Sequence, residues 1–546
     1  MSLPPARYRT AAIMAGLVCC AVLARLPFLS NVGVDEAYYL VVGRQWLEGT
    51  PPYAGAFDVK PPLLFALMAG AEAVFGPALL AAKALSMAAV AATACGLYLF
   101  GRRFTGELSG LAAALFYIAA SLNLGGAFSP AELSMAPFTT FGALLGLAAA
   151  LSPRPRPMLL FAAGLLFGAA ASVKQTALFE ALALVLYLGA NPSRPRQIVE
   201  RRTPSPQPSP PGRGSPVATV ATPFPLPGGE GQGEGRVARR ETTPLAWFGA
   251  GLCAVPAGFA VYFFAHGHLD ALLADAVLAA IGRAGAQYVP WSDAALRFLI
   301  ELLLVLPLVI MAAPVLACKS AFRGEPVYPA LNFLAIWAAA ALAAVVATRA
   351  ALVIYFLPVL PPLCIASGFC LQQALARLPA RKRFTIALPA AVAAVGAYSL
   401  ITLAPLLFAG RENLASAADA SAAMKSAGLA ANDRILVADR DLIVYLASGS
   451  NPPGRVFHPL QLFCGFAGQG DGAALADSLR SRPAFIVVAE PFHTRGCEEP
   501  GRRLLLNETL QRDYCAFGRF GNALTGDKGG PLVVYGLKER VAPRCT

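Results

Sequence analysis

The feature that most constrains this chain is a succession of apolar runs, each about 20 residues long, separated by short clusters of arginine and lysine. Such runs lie near residues 10–29, 61–76, 78–100, 107–125, 131–151, 157–173, 176–190, 246–266, 296–318, 328–348, 350–375 and 384–408. The hydrocarbon core of a bilayer is ~30 Å thick and offers backbone amides no water, so a run of ~20 apolar residues satisfies its own backbone there as a helix. At 57% hydrophobic and 14% charged, with a mean hydropathy of +0.58, the chain is far more apolar than a soluble domain. The expected fold class is an α-helical polytopic membrane protein. The net charge of +13 does not point to nucleic acid, because the cations sit between apolar runs and not on one basic face.

The basic clusters set the threading. If the run at 61–76 lies along the outer surface, then Arg7/Arg9, Arg102/Arg103, Arg154/Arg156, the arginine-rich 194–240 segment, Lys319/Arg323 and Arg377/Arg381/Lys382/Arg383 all face the cytoplasm. The result is about eleven transmembrane helices within residues 1–408, with the N-terminus inside and the C-terminus outside. The first run follows Arg7 and Arg9 as a signal peptide would, but no A-x-A site precedes Arg25, so an uncleaved span is expected. Residues 30–77 form an outer loop with interfacial helices. Residues 191–245, rich in Pro, Gly, Ser and Arg, read as a disordered cytoplasmic insertion. Its segments 204–210 (PSPQPSP) and 228–235 (GGEGQGEG) look like two arms of a translated inverted DNA repeat, an insertion without function. Residues 409–546 read as a small outer α/β domain, with strands at 434–438, 485–489 and 531–535 and helices at 472–481 and 502–514.

Most polar chemistry is expected on the outer side. Asp35, Glu36, Tyr38 and Tyr39, followed by Val41, Val42 and Trp46, have helical spacing, which suggests an interfacial helix holding two carboxylates at the membrane surface. Lys60-Pro61-Pro62 opens a second helix, since proline is tolerated in a first turn. Glu132, Lys174-Gln175 and Arg349 reach the same face from separate parts of the chain. Ionisable groups at a membrane boundary are costly, so their convergence suggests an anionic ligand, for which a lipid phosphate is suited. The bland readings are solvated loop residues for Asp35 and Glu36, a helix cap for Glu132, and snorkelling anchors for Lys174, Arg349, Arg25 and Lys83. His266-Gly267-His268 has metal-like spacing but no acidic or cysteine partner beside it. The eleven cysteines include no C-x-x-C pair. Cys464, Cys497, Cys515 and Cys545, in the polar C-terminal region, would allow one or two disulfides in an oxidising compartment.

Arg25-Leu-Pro, Asp35-Glu36-Ala-Tyr-Tyr, Gly49-Thr-Pro-Pro-Tyr53 and Lys60-Pro-Pro-Leu-Leu together resemble the N-terminal signature of the membrane glycosyltransferases with the GT-C fold. The group most resembled is that of the protein O-mannosyltransferases and aminoarabinose transferases. Arg102-Arg103-Phe, Lys174-Gln175 and Tyr355-Phe-Leu-Pro-Val-Leu-Pro-Pro extend the likeness across residues 20–375. The resemblance implies transfer of a sugar from a polyprenyl-phosphate donor to a lipid, glycan or protein acceptor at the periplasmic face of a bacterial inner membrane. It implies Asp35 as base or orienting group and Lys60 on the lipid phosphate; Glu36 and Glu132 are then expected to assist or position the acceptor. Tyr39, Lys174, Arg349 and Tyr355 would complete the substrate-binding set. Two departures stand out: Ile354 occupies a place where relatives often carry His, and Glu132 stands where many have Asp. No cofactor is firmly implied, and a divalent cation at the phosphate stays open. The rival expectation is a transporter or lipid flippase, although the two halves of the chain show no repeat.

Overall fold

The computed structural model describes residues 6–76, 79–190, 244–285, 291–348, 352–376, 378–438, 441–464, 473–490, 499–521, 531–541 and 545. Helix follows hydropathy. The chain runs through α1 (Ala6–Leu23), α2 (Val34–Leu47), α3 (Pro62–Phe75), α4 (Leu79–Phe104), α5 (Glu107–Ser121), α6 (Ala131–Ala150), α7 (Pro157–Val173), α8 (Ala177–Ala190) and α9 (Pro244–Ala265). Beyond these come the helices Trp291–Leu304, Leu306–Ala317, Tyr328–Thr348, Leu360–Ala374 and the 39-residue Leu388–Ser426.

Among the described residues, seven helices are long and apolar enough to cross a membrane, and an eighth crossing exists if the pair Ser292–Leu304 and Leu306–Ala317, bent by 92°, is one broken span. Pro157–Val173, Ala177–Ala190 and Thr385–Ile401 are apolar but shorter, and would be the remaining three of the expected eleven. α3 has 14 residues, the same length as Ala177–Ala190, so its expected surface position rests on the basic clusters and not on its length. Of the expected 191–245 insertion, residues 191–243 lie outside the described residues, and Pro244 already opens α9.

Small residues let the helices approach. α7 and α9 pack through Gly164, Gly168 and Gly251: a Cβ on Gly164 would collide with the carbonyl of Phe248, and one on Gly251 with that of Phe161. With no hydrophobic drive between helices in lipid, such backbone-close packing supplies much of their cohesion. α2 and α3 meet in the same way, since a Cβ on Gly43 would stand 2.9 Å from the Ala69 amide.

The C-terminal unit is a four-stranded sheet in the order β1-β2-β4-β3, made of β1 (Ile435–Val437), β2 (Phe485–Ala489), β3 (Tyr514–Phe520) and β4 (Leu532–Leu537). β1 and β2 are parallel; β4 is antiparallel to β2 and to β3. Residues alternate between faces, as the two-residue period of a strand demands. Leu436, Ile486 and Val488 join Leu506 and Leu510 of helix Pro500–Asp513. Ile435, Val437, Phe485 and Val487 belong instead to a core shared with Tyr38, Tyr39, Val42 and Tyr53 of the outer loop. The C-terminal unit meets the α2–α3 segment through the stretch between β1 and β2, where Phe457 packs on Tyr38. Sequence reading assigned Tyr514 to a helix end and overlooked β3, whose YCAFGRF lacks a β-branched run and carries a register irregularity between Ala516 and Gly518. Helix Leu388–Ser426 crosses the expected boundary at 408/409 without a break. Cys515 and Cys545 form a disulfide, and Cys464 is disulfide-bonded as well.

Candidate active site

α2 begins where Gly33, extended, hands the chain to Val34-Asp35-Glu36, two acids in a first turn whose unpaired N–H groups favour negative charge. Glu36 closes a capping box, its Oε2 accepting the Gly33 N–H at 3.1 Å. It also accepts from Lys83 Nζ at 3.0 Å and from Ser129 Oγ at 2.7 Å, and is 1% exposed. Lys83 further donates to the Ala127 carbonyl. The snorkelling expected of Lys83 and Arg25 is thus corrected: Lys83 is a buried ion-pair partner on α4, and Arg25, equally buried, donates to Ser121 Oγ at 2.7 Å. Both face helices and not the membrane surface, because a buried partner was available to each.

Asp35 points elsewhere. Its side chain is 45% exposed; Tyr39, one turn later, donates to its Oδ2 at 3.3 Å, and His458 Nε2 stands 3.5 Å from its Oδ1. Burial, and after it the charge of Asp35, hold the Tyr39 phenol well above its ordinary pKa, so it remains a neutral donor. Lys60 Nζ lies over the Tyr39 ring, 5.4 Å from its centroid, a cation–π distance.

The turn before Lys60 is held from several directions. Asp58 Oδ1 accepts the Lys60 N–H at 3.0 Å, and Tyr53 OH donates to the Lys60 carbonyl at 2.6 Å. Tyr53 has φ +69°, a left-handed conformation that costs an aromatic residue about 1–3 kcal/mol and persists only where its surroundings enforce it. Here they do: its ring is 1% exposed against Phe65 and Phe263. Gln175 Nε2 donates to the Val59 carbonyl at 2.6 Å and to the Ala276 carbonyl at 3.0 Å.

Beneath Tyr39 lies a second cluster. Lys174, at the α7–α8 junction, is ion-paired with Glu132 on the first turn of α6 and sits 3.8 Å over the Tyr355 ring. Lys174 is 6% exposed and Glu132 1%, so neither is a surface anchor. Together with Thr176, Thr348 and Pro358 they line a small cavity. Tyr39 is within electrostatic reach of Glu132 and Tyr355. The structure thus sets Asp35 and Lys60 against Tyr39, with Glu132 and Tyr355 in its electrostatic reach and Lys174 paired to both of these, and places Glu36 apart from them. Arg349 lies outside the described residues.

The C-terminal domain takes part. Phe57 donates its N–H to the Arg455 carbonyl at 2.7 Å, while its own carbonyl accepts from Tyr38 OH at 2.5 Å. Arg44 reaches the Ser450 carbonyl at 3.1 Å, Asn451 donates to Glu48, and Arg455 pairs with Asp275. Sequence reading passed over His458, Arg455, Asp275 and Ser129, since each meets its partner only through long-range folding. Among the described residues no group of three or more His, Cys, Asp and Glu is arranged to hold a metal ion, and His266 instead stacks on Tyr262.

Residues 59–205 match the family model described as dolichyl-phosphate-mannose-protein mannosyltransferase, a stretch that contains Lys60, Glu132 and Lys174. No curated protein matches the chain. The fold is similar to that of ArnT from Cupriavidus metallidurans in two crystal structures. With the form bound to undecaprenyl phosphate, the TM-score is 0.59 at 16% identity, over 97% of this chain and 98% of that one. With the apo form it is 0.60 at 15% identity, over 99% of each. The chain therefore has the GT-C fold, as ArnT does, and its residues 59–205 resemble the mannosyltransferase family model.

Proposed function

We propose that this protein moves a sugar from a polyprenyl-phosphate carrier to a hydroxyl-bearing lipid, glycan or protein acceptor at the outer face of the membrane. The observation that carries this reading is an accessible carboxylate, Asp35, and a lysine, Lys60, both against Tyr39, with the buried Lys174–Glu132 pair close by. In the reaction the acceptor oxygen forms a bond to the sugar C1 as the C1–O bond to phosphate breaks, and the electron pair leaves with the polyprenyl phosphate. The acceptor proton passes to Asp35. Attack opposite the leaving phosphate inverts C1. Lys60 and Lys174, with Arg349, would meet the phosphate charge, while Tyr39 and Tyr355 form the wall between the two clusters.

Glu132 holds Lys174 in place and would yield part of that ion pair when phosphate arrives. Glu36 serves by fixing the entry of α2, because its carboxylate is already engaged by Gly33, Lys83 and Ser129. The matching region belongs to a family described by dolichyl-phosphate-mannose, and the similar ArnT binds undecaprenyl phosphate; both support a lipid-phosphate sugar donor here. The basic clusters support a cytoplasmic N-terminus and a periplasmic C-terminal domain. A transporter or flippase would carry its ionisable groups at discontinuous helices near the midplane, whereas these residues converge at the end of the bundle that the C-terminal domain covers.

The test is transfer from a panel of radiolabelled polyprenyl-phosphate sugars by purified wild type and Asp35→Asn in nanodiscs. Turnover by wild type, lost in the variant, supports the reading. Wild-type activity in the variant removes the central assignment, and lipid movement without transfer favours the transport reading.

A further inference from the structure

We propose that the C-terminal domain supplies a positioning residue to the reaction, His458, which orients the Asp35 carboxylate for proton abstraction. The inference rests on the reading of Asp35 as the base. His458 stands just ahead of helix Pro459–Cys464, and its side chain is 11% exposed. The ring is set edge-on against Tyr38, centroids 5.3 Å apart and planes at 73°, so α2 itself holds one side of the imidazole.

The tautomer follows from the backbone. His458 Nδ1 accepts the Leu460 N–H at 3.3 Å, so in the neutral ring that nitrogen carries a lone pair and the proton sits on Nε2. Nε2 is the atom that faces Asp35 Oδ1, at 3.5 Å. Tyr39 donates to the other oxygen, Oδ2, at 3.3 Å. Tyr39 thus donates to one oxygen of the carboxylate, while His458 Nε2, from another part of the chain, stands within ion-pair distance of the other. Their combined hold fixes rotation of the carboxylate plane, which a single donor would leave loose. Both distances are longer than the ~2.7–3.2 Å of a tight hydrogen bond, as is usual of catalytic contacts before substrate closes the site.

His458 exchanges no proton in this scheme. The acceptor proton goes to Asp35, and the imidazole N–H stabilises the carboxylate before transfer and holds its orientation throughout. The covalent balance of the reaction is unchanged. The stretch that carries His458 is tied to the outer loop on either side, by Arg44 to the Ser450 carbonyl and by the Phe57 N–H to the Arg455 carbonyl.

Asparagine and glutamine separate the two nitrogens of the ring. His458→Asn keeps an acceptor near Nδ1 for Leu460 but offers nothing to Asp35; His458→Gln places an amide N–H near Nε2. Steady-state kinetics in nanodiscs, with donor saturating and acceptor varied, is run on wild type, Asp35→Asn and both histidine variants, with thermal unfolding of each. The expected result is a melting temperature near wild type for His458→Asn, a kcat about 10²-fold lower with little change in acceptor KM, and recovery of most of that loss in His458→Gln. Wild-type kcat in His458→Asn overturns the assignment, and so do equal losses in both variants. Where wild type turns over and Asp35→Asn does not, such a result removes His458 alone; where Asp35→Asn matches wild type, Asp35 and His458 fall together.

Discussion

Asp35 and Glu36 are consecutive carboxylates on one helical turn, yet the protein surrounds them in opposite ways. Glu36 is 1% exposed and receives N–H and O–H groups from Gly33, Lys83 and Ser129. Asp35 is half exposed, with Tyr39 and His458 at longer distances. A saturated buried carboxylate is a poor base, because accepting a proton would forfeit the ion pair that offsets its desolvation. A partly solvated one, not locked in an interior ion pair, can take a proton and release it to water. On the proposed reading, adjacent positions in sequence divide the work: Glu36 builds the loop, and Asp35 faces the chemistry.

Paired substitutions break or sharpen that contrast. Asp35→Asn is expected to lower transfer by about 10²–10⁴-fold with an unchanged melting temperature. Glu36→Gln should do the reverse, leaving Lys83 buried without a counter-charge and costing about 3–5 kcal/mol of stability. Thermal unfolding in detergent measures it, and adding Lys83→Met should restore most of the loss. If Glu36→Gln melts like wild type but is inactive, the division between the two carboxylates is wrong.

The lysines give the next largest effect. Lys60, on the rim over Tyr39, is expected on replacement by Ala to raise the donor KM about tenfold, the value of one charge-assisted contact. Lys83→Met in the Glu36→Gln background should leave donor KM within about twofold. Kinetics with varied polyprenyl-phosphate sugar distinguish them, and equal KM shifts would erase the rim-versus-interior distinction.

Glu72 offers a third carboxylate environment, buried on α3 with neither oxygen hydrogen-bonded among the described residues. Desolvation pushes its carboxyl up to about 7, against the pull of Arg44. Between the ordinary 4.5 and about 7 the folded state keeps a proton that the unfolded state has lost. Stability contributed by this group therefore falls as pH rises through that window and levels off above it. Glu72→Gln should match wild type below pH ~4.5 and exceed it by about 2 kcal/mol at pH ~8. Melting curves across pH check the sign; a gain at low pH instead would refute it.

The smallest effect belongs to the 191–245 segment. Deleting 200–240 is expected to leave transfer within about twofold of wild type. Loss of activity on deletion would give the insertion a role.

Much of the scaffold was legible because its causes are local. A bilayer helix must be a long apolar run, α2 announces itself by helical spacing behind two first-turn acids, and Lys60-Pro61-Pro62 marks the start of α3. Three strands were readable as apolar runs, while β3, carrying Gly518 and Arg519, was not. Lys83 and Arg25 looked like anchors because a lone cation in an apolar run gives no hint of a partner on another helix. His458 had no local signal at all.

What the sequence determined by itself is what one segment can decide: helix or strand, membrane or water, and which stretch carries the acids and lysines. Periodicity and hydropathy act over a few residues, so they are written into each segment. Which of two adjacent carboxylates is buried, which lysine is consumed by an ion pair, and that Asp35 meets His458 of a distant domain were decided only by tertiary structure. Those outcomes depend on the desolvation and partners each group finds once α2, α4, α6, the α7–α8 junction and the C-terminal sheet are brought together.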